Sequence, residues 1–163
     1  MTHESPVSCA LPVKLPPQYR ERWQNASTIR DILNRYKTIA MVGLSPNVER
    51  PSYQVADYLK QHGFHIIPVN PGHSTILEER SYPTLLDIPD RVDIVDIFRR
   101  PDQTMPMVDA AIQIKAKVIW FQLGVVNIEA GELAEQNGLI VVMDRCIKIE
   151  WPGDTLDPNQ KVA

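Results

Sequence analysis

The sequence predicts an α/β domain built on a doubly wound, mainly parallel five-stranded sheet with helices on both faces. Two observations lead to this prediction. Five short apolar runs recur along the chain and alternate with segments whose apolar residues repeat at helical spacing. The runs are continuously apolar, which is typical of strands that helices cover on both faces of a parallel sheet. A chain of 163 residues suits one such domain.

The N-terminal part of the chain shows no such alternation. Residues 1–26 are rich in proline and carry little hydrophobic periodicity, so we expect an irregular N-terminal arm there. Apolar residues then recur at helical spacing from residue 27 to residue 36. We expect a helix over this stretch, with Ser27 or Thr28 as the residue that caps its start.

The first strand and the helix after it form the beginning of a βαβ unit. The run Thr38–Val42 is the predicted strand, and a helix is expected from residue 51 to residue 62. Pro51 suits a first helical turn, and Gly63 can adopt the left-handed conformation that closes a helix. The second strand is expected over residues 64–69, ending near Pro68 because proline cannot donate to a sheet ladder.

The pattern continues to the end of the domain. We expect strands at residues 92–98, 118–123 and 139–143, with helices near 104–115 and 127–137, and with Gly138 ending the last of these helices. Residues 152–163 are polar and rich in turn formers, which predicts a C-terminal tail. Residues 27–151 are therefore expected to form a single Rossmann-type domain.

Composition excludes several classes of function. The formal net charge of −3 offers no broad attraction to nucleic acid or to an anionic membrane surface. No apolar run approaches the roughly 18 residues that a membrane span needs, so we expect a cytoplasmic protein. Cys9 and Cys146 lie far apart, with no Cys or His nearby at a metal-ligand spacing, so neither a disulfide nor a metal site is expected.

The loop after the first strand is the best candidate for a phosphate site. Ligands of open parallel sheets bind outside the carboxyl ends of the strands, where the strand order reverses. Gly43 would let backbone approach a ligand closely, Ser45 offers a hydroxyl, and Arg50 stands just before a helix N-terminus that attracts anions. An ordinary strand-to-helix turn with a solvated arginine is the alternative interpretation.

The residues of these loops also indicate which nucleotide would bind. The first loop lacks the spacing Gly-x-Gly-x-x-Gly, and the second strand ends in Val69-Asn70, without the acidic residue that holds the ribose of NAD. An NADP-like or coenzyme A (CoA)-like ligand fits better, because a nearby arginine can neutralise the extra ribose phosphate. Arg99 and Arg100 are the candidates, unless they are ordinary surface charges.

Five ordered motifs carry a family resemblance. They are Ile39-Ala-Met-Val-Gly-Leu-Ser45, Arg50-Pro-Ser-Tyr53, Ile67-Pro-Val-Asn-Pro71, Val95-Asp-Ile-Phe-Arg-Arg-Pro101 and Met143-Asp-Arg-Cys146. Together they resemble the motifs of small stand-alone CoA-binding proteins, a family similar in fold to the N-terminal CoA-binding domain of the succinyl-CoA ligase alpha subunit. The resemblance covers residues 28–151.

The resemblance implies a site and a ligand. The diphosphate of CoA or an acyl-CoA is expected over the first loop and the helix start, and the adenine end near the loops after the second and third strands. Catalysis by the ligase depends on a phosphorylated histidine of a further domain, which the resemblance does not cover. The resemblance therefore implies ligand binding and no catalytic residues. The expected site comprises Gly43, Leu44, Ser45, Arg50, Pro51, Ser52, Asn70, Pro71, Phe98, Arg99, Arg100 and Gly124.

Two other functions stay open at this point. Cys146 sits between Arg145 and Lys148, where positive charge would favour a thiolate, so an enzyme acting on a CoA-type or NADP-like ligand is one alternative. Cysteines are more often small buried fillers. The other alternative is a regulatory subunit that uses the pocket as a sensor, with a protein partner or a second copy of the chain on its N-terminal arm. Asp93, Asp96 and Asp144 are either functional carboxylates or partners of nearby arginines.

Overall fold

The computed structural model describes residues 13–151 and contains one five-stranded parallel sheet. The sheet order is β2-β1-β5-β6-β7, and every neighbouring pair is parallel. A separate antiparallel hairpin, β3-β4, follows β2. The strands are β1 (Thr38–Val42), β2 (His65–Val69), β3 (Thr75–Ile76), β4 (Glu79–Arg80), β5 (Ile94–Ile97), β6 (Val118–Phe121) and β7 (Ile140–Met143).

Helices cover both faces of this sheet, which confirms the predicted fold class. On one face α1, α4 and α5 pack against the residues of one core cluster, and on the other α2, α3 and α6 pack against a second cluster. Short 3-10 turns lie at Leu85–Asp87 and Pro101–Gln103. The helices are α1 (Pro17–Trp23), α2 (Ala26–Arg35), α3 (Pro51–Gln61), α4 (Met105–Gln113), α5 (Ile128–Gln136) and α6 (Ile147–Glu150).

The alternation of side chains along each strand separates the two cores. Trp120 of β6 is fully buried on the α3 side, and its neighbour Phe121 is fully buried on the α5 side. Because successive residues of a strand point to opposite faces, a strand covered on both sides must be apolar throughout. This is why the continuous apolar runs predicted the parallel sheet correctly.

Helix α1 lies where the sequence predicted an irregular arm. Pro16 and Pro17 stand at its start, where a missing N–H costs no helical hydrogen bond. Trp23 anchors the helix: its side chain is buried, and its indole Nε1 donates a 2.8 Å hydrogen bond to Glu135 Oε2 of α5. Residues 17–23 are therefore docked on the domain. Residues 1–12 of the expected arm and residues 152–163 of the expected tail lie outside the described part of the chain.

The start of α2 differs from the prediction by one or two residues. The helix begins at Ala26, and Asn25 caps it by accepting a 3.1 Å hydrogen bond from the backbone N–H of Thr28. The prediction that Ser27 or Thr28 caps the helix is therefore wrong. Asparagine is as good a capping residue as serine, and only the backbone geometry chooses between them.

Proline is tolerated in β2 because β2 is an edge strand. Pro68 is in register with Met41 of β1, and the strand continues through Val69. The carbonyl of Pro68 accepts a 3.0 Å hydrogen bond from the N–H of Tyr82, on the side away from β1. The missing N–H therefore lies on the outer side of the sheet, where β1 has no acceptor for it. Gly63 and Gly138 adopt the expected left-handed conformation, with φ of 88° and 86°.

Candidate functional site

A cleft lies at the carboxyl ends of the strands, beside the point where the strand order reverses. That point falls between β1 and β5, because β2 follows β1 in sequence on one side and β5 begins the other half of the sheet. The cleft has a volume of about 870 Å³ and is lined by the segments that follow β1, β5, β6 and β7. Its size is in the range of small-molecule sites.

Gly43 permits two of these segments to touch. Its N–H donates to the carbonyl of Val69 at 3.1 Å, and its φ of 84° is left-handed. A Cβ built on Gly43 would lie 2.3 Å from the carbonyl oxygen of Phe98, far inside van der Waals contact. Only glycine can adopt this φ without strain and also lie this close to the carbonyl of Phe98. The loops after β1 and β5 are therefore held against each other at the floor of the cleft.

The loop after β1 is braced by its own polar groups. The N–H of Ser45 donates a 3.0 Å hydrogen bond to Oγ of the buried Ser52, and the N–H of Asn47 donates to Ser45 Oγ at 3.1 Å. The loop leads to α3, whose N-cap residue, Arg50, makes no capping hydrogen bond with its side chain. The first backbone N–H groups of this eleven-residue helix are thus available to an anion in the cleft.

The charges that line the cleft are all positive. Arg50, Arg99 and Arg100 contribute guanidinium groups, and no carboxylate is among the described lining residues. Arg50 and Arg100 are exposed, whereas Arg99 is half-buried and its buried Nε has no hydrogen-bond partner in the described structure. Arg100 lies 3.5 Å from Asp102, an exposed pair of small energetic value. The cleft is therefore suited to an anionic ligand.

A buried polar pair lies at the base of the cleft. Gln122 lines the cleft although it is only 3% exposed, and its Nε2 donates a 2.7 Å hydrogen bond to Oδ1 of the fully buried Asp96. Burial raises the pKa of Asp96 to about 8, against the smaller lowering by the hydrogen bonds from Gln122 and Ile97. Asp96 is therefore mainly protonated at neutral pH. Its Oδ2 has no hydrogen-bond partner in the described structure.

The segments after β6 and β7 give the cleft a largely apolar lining. Val125 is buried there, whereas Leu123 and Ile149 leave 65% and 74% of their surface exposed. The half-buried Cys146, which precedes α6, lines the cleft beside them. Exposed apolar side chains at the rim of a pocket commonly mark a binding surface. The cleft thus combines a cationic side with an apolar side that carries a thiol.

Most of the residues expected in the site come together in this cleft. The exceptions are Leu44, Asn70 and Pro71. The Leu44 side chain is fully buried in the core, and its carbonyl accepts a 3.0 Å hydrogen bond from Asn70 Nδ2, which joins the loops after β1 and β2. The expected residues that line the cleft are Gly43, Ser45, Arg50, Pro51, Ser52, Phe98, Arg99, Arg100 and Gly124.

Pro71 belongs to a neighbouring, mostly apolar cavity of about 410 Å³. This second cavity lies between the loop after β2, the 3-10 turn at residues 85–87 and α4, and Leu85, Leu86 and Met107 are among its apolar lining. Arg99 lines both cavities. The loop after β2 therefore lines this second cavity, which shares Arg99 with the main cleft, and does not line the main cleft itself.

Sequence reasoning missed Gln122 and assigned Cys146 to a different possible role. A signal for Gln122 was present: it is the polar residue that ends the fourth apolar run, directly before the Leu123-Gly124 turn. Cys146 was considered as a nucleophile, and its place in the lining of the cleft could not be foreseen, because only the fold brings the segment after β7 to the same cleft as the loop after β1. Val55, Pro101, Gln103, Leu123, Val125 and Ile149 also line the cleft.

The other carboxylates that the sequence analysis singled out accept hydrogen bonds from backbone N–H groups. Asp144 accepts a 2.7 Å hydrogen bond from the N–H of Gly124, which fixes the turn after β6. Asp93 accepts a long 3.4 Å hydrogen bond from the N–H of Thr38 and lies 3.8 Å from the exposed Arg91. Between residues 13 and 151, no group of three or more His, Cys, Asp or Glu side chains is arranged to hold a metal ion. No helix in that range is long and apolar enough to span a membrane.

Comparison with known proteins gives consistent matches. The family model described as a CoA binding domain matches residues 37–152. The uncharacterized protein YneT of Bacillus subtilis is 39% identical over 121 residues, which are 74% of this chain and 90% of YneT. A hypothetical protein from Pyrococcus horikoshii of known structure is 46% identical with a TM-score of 0.75, covering 77% of this chain and 88% of that one.

A larger protein matches over a shorter stretch. The ADP-forming acetate–CoA ligase II of Archaeoglobus fulgidus is 40% identical over 94 residues. The match covers 55% of this chain and 14% of the ligase.

Proposed function

Because this chain belongs to the CoA-binding domain family, we propose that it binds CoA or an acyl-CoA in the cleft at the carboxyl ends of β1, β5, β6 and β7, without catalysing a reaction of its own. The observation that carries the proposal is the charge arrangement of the cleft. Three guanidinium groups and a helix N-terminus face it, and the described lining contains no carboxylate. We place this function in the cytoplasm, where a free cysteine stays reduced.

The diphosphate of the ligand is proposed to lie over Gly43, Ser45 and the first turn of α3. Backbone N–H groups at a helix N-terminus bind phosphate through hydrogen bonds and through the positive end of the helix dipole. The bracing by Ser52 holds the loop in one conformation before the ligand arrives, so little ordering is left to oppose binding. Arg50 adds a guanidinium group at the entrance.

The ribose phosphate is proposed to bind between Arg99 and Arg100. The buried, unpartnered Nε of Arg99 supports this placement, because a phosphate oxygen would satisfy a donor that the described protein leaves unpaired. Arg99 also adjoins the second cavity, where Pro71 and the apolar residues around it offer a surface for a flat base. NAD, which lacks the ribose phosphate, should bind more weakly for the same reason.

The pantetheine arm of CoA is proposed to cross the apolar side of the cleft. The arm carries two amides and ends in a thiol, so it needs apolar surface together with occasional hydrogen-bond partners. Val125, Leu123 and Ile149 supply the apolar surface, and Gln122 supplies an acceptor that the protein holds in place. The acetate–CoA ligase that shares a stretch of this sequence is named for its use of CoA, which agrees with this assignment.

Isothermal titration of the reduced, ligand-stripped protein tests the proposal. CoA should bind at one site per chain with micromolar or tighter affinity, and dephospho-CoA should bind more weakly because it lacks the ribose phosphate. NADP also carries a phosphate on its adenosine ribose, at the 2′ instead of the 3′ position, but it lacks the pantetheine arm, so it reports on the arginine side alone. NADP binding more tightly than CoA would replace CoA by a dinucleotide ligand. No detectable binding of either would refute the proposal.

A further inference from the structure

Cys146 has no part in the proposed binding, although its half-buried side chain lines the same cleft. The ligand proposed for that cleft ends in a thiol. We propose that Cys146 forms a reversible mixed disulfide with the terminal sulfur of a CoA-type ligand, so that the protein can hold the ligand covalently under oxidising conditions. The inference rests on the proposed function, because it requires the ligand to occupy the cleft.

The spacing of the strands fits the length of the ligand. Val42, Ile97, Phe121 and Met143 are in register across β1, β5, β6 and β7. The ends of β1 and β7 are therefore three strand spacings apart, or about 14 Å. The pantetheine arm joins the diphosphate to the sulfur through about twelve bonds, the length of four extended peptide residues, which also spans roughly 14 Å. A ligand with its diphosphate at Gly43 can thus bring its sulfur to the segment after β7.

Gln122 independently indicates a ligand between these two ends. The residue is only 3% exposed and lines the cleft, and its side chain donates a hydrogen bond through Nε2 to Asp96. That bond fixes the orientation of the amide, and none of the side-chain hydrogen bonds within residues 13–151 uses its Oε1. An acceptor held in this way at the wall of the cleft favours a ligand N–H. The pantetheine arm carries amide N–H groups between its diphosphate and its sulfur, where β6 lies between β1 and β7.

The surroundings of Cys146 favour disulfide exchange over acyl transfer. The described lining of the cleft contains no histidine and no carboxylate, so it lacks a general base for acyl transfer. Thiol–disulfide exchange needs only a thiolate and access to a disulfide.

The reaction uses the disulfide of CoA as the oxidant. The Cys146 thiolate attacks one sulfur of CoA disulfide, the sulfur–sulfur bond between the two CoA units breaks, and a bond forms between Cys146 Sγ and one CoA. The other CoA leaves as a thiolate and takes up the proton that Cys146 lost. A small dithiol reverses the step: it releases CoA and the Cys146 thiol and becomes oxidised in turn.

Intact-protein mass spectrometry of the full chain tests the inference. The protein is incubated with CoA disulfide, with and without later dithiothreitol. We expect a single adduct equal to one CoA minus one hydrogen in place of the Cys146 hydrogen, removable by dithiothreitol, in the wild type and in C9S. The C146S variant should form no such adduct. Adduct formation that persists in C146S, or that is lost in C9S instead, would overturn the inference.

The rate shows whether the cleft directs the reaction. Pantethine, the disulfide of pantetheine, has the same reactive end as CoA disulfide but no nucleotide. Binding of the nucleotide raises the effective concentration of the disulfide at Cys146. At equal low concentration we therefore expect CoA disulfide to react at least tenfold faster than pantethine. Equal rates would overturn the inference, because they would show an exposed thiol that reacts without guidance.

The titration separates this inference from the proposed function. Under reducing conditions C146S should bind CoA as tightly as the wild type, which also shows that the variant is folded. If the wild type binds CoA but forms no adduct with CoA disulfide, the inference fails and the proposed function stands. If no CoA binds to the reduced wild type, the proposed function fails, and the inference fails with it.

Discussion

Gln122 donates a 2.7 Å hydrogen bond to Asp96 at the base of the cleft, and this contact links an amide of the cleft lining to a carboxyl group with no solvent exposure. Asp96 lies on β5 and Gln122 directly follows β6. The pair orients Gln122 while Asp96 remains protonated. The first two predictions concern this pair.

The stability of the protein should fall as pH rises, because of Asp96. The folded carboxyl holds its proton up to about pH 8, whereas the unfolded one loses it near 3.8. Between these values the native state binds more protons than the unfolded state, so the free energy of unfolding decreases with pH by up to about 1.4 kcal/mol per unit. In D96N this component should disappear. Urea unfolding at pH 5 and pH 8 measures it.

The expected result is a stability loss from pH 5 to pH 8 that is about 1–4 kcal/mol smaller in D96N than in the wild type. D93N is a matched control, because Asp93 directly precedes the same strand but is not buried like Asp96. Identical pH profiles for D96N and the wild type would show that Asp96 is already ionised in the folded protein.

Loss of the Gln122 amide should weaken the binding of CoA more than it destabilises the protein. Q122L keeps the volume, removes the acceptor, and also leaves Asp96 Oδ1 without its donor. We expect a five- to thirtyfold loss of CoA affinity from the missing hydrogen bond, or about 1–2 kcal/mol. Because NADP has no pantetheine arm, its affinity should be nearly unchanged. An equal loss for both ligands in the titration would assign Gln122 a purely structural role.

Gly43 should be far less replaceable than a glycine with the same backbone conformation elsewhere. Both Gly43 and Gly138 have left-handed φ, but a Cβ at Gly138 meets nothing within 4 Å, whereas one at Gly43 strikes the carbonyl of Phe98. G138A should cost about 1 kcal/mol of unfolding free energy from its backbone alone. G43A should cost at least 1–2 kcal/mol more. Thermal unfolding of the two variants compares them, and equal losses would contradict the close contact.

The arginines should distinguish ligands with and without the ribose phosphate. We expect R99A to lower the affinity for CoA by about 10- to 100-fold, because a charge-assisted hydrogen bond to phosphate is worth about 1.5–3 kcal/mol. The affinity for dephospho-CoA should change much less. R91A removes an exposed arginine that does not line the cleft and serves as the matched control. If R99A weakened both ligands equally, the ribose phosphate would have to bind elsewhere.

Trp23 should anchor α1 to the domain. It is 1% exposed, and it lies so close to α5 that a Cβ on Gly131 would come within 2.6 Å of its ring. W23A should lower the free energy of unfolding by about 3–5 kcal/mol, the usual cost of emptying a large buried aromatic site. Urea unfolding measures this loss. A loss below about 1 kcal/mol would mean that α1 contributes little to the stability of the fold.

The sequence predicted the sheet well because the apolar pattern that marks each strand lies within the strand itself. A run such as Ile39–Val42 is apolar throughout, and only burial on both faces explains that pattern. Gly63 and Gly138 likewise mark helix ends by their own conformational freedom. Helix α1 was missed because its contacts, among them those of Tyr19 and Trp23, are with α5, more than a hundred positions away in the chain.

The site could be predicted only in part for the same reason. The loop after β1 carries its own signal in Gly43, Ser45 and Arg50, because a phosphate site is built from consecutive residues. The position of Cys146 in the cleft has no such local signal, since it depends on the place of β7 in the sheet. Asn70 stays a predicted ligand contact, and only the structure shows that its side chain also donates a hydrogen bond to the carbonyl of Leu44.

A crystal structure of the reduced protein grown with CoA is the most direct test of the account. We predict one CoA per chain, with its diphosphate over Gly43 and the N-terminus of α3, its ribose phosphate at Arg99, and its sulfur beside Cys146. Ligand density elsewhere on the protein, or an empty cleft at millimolar CoA, would contradict the account.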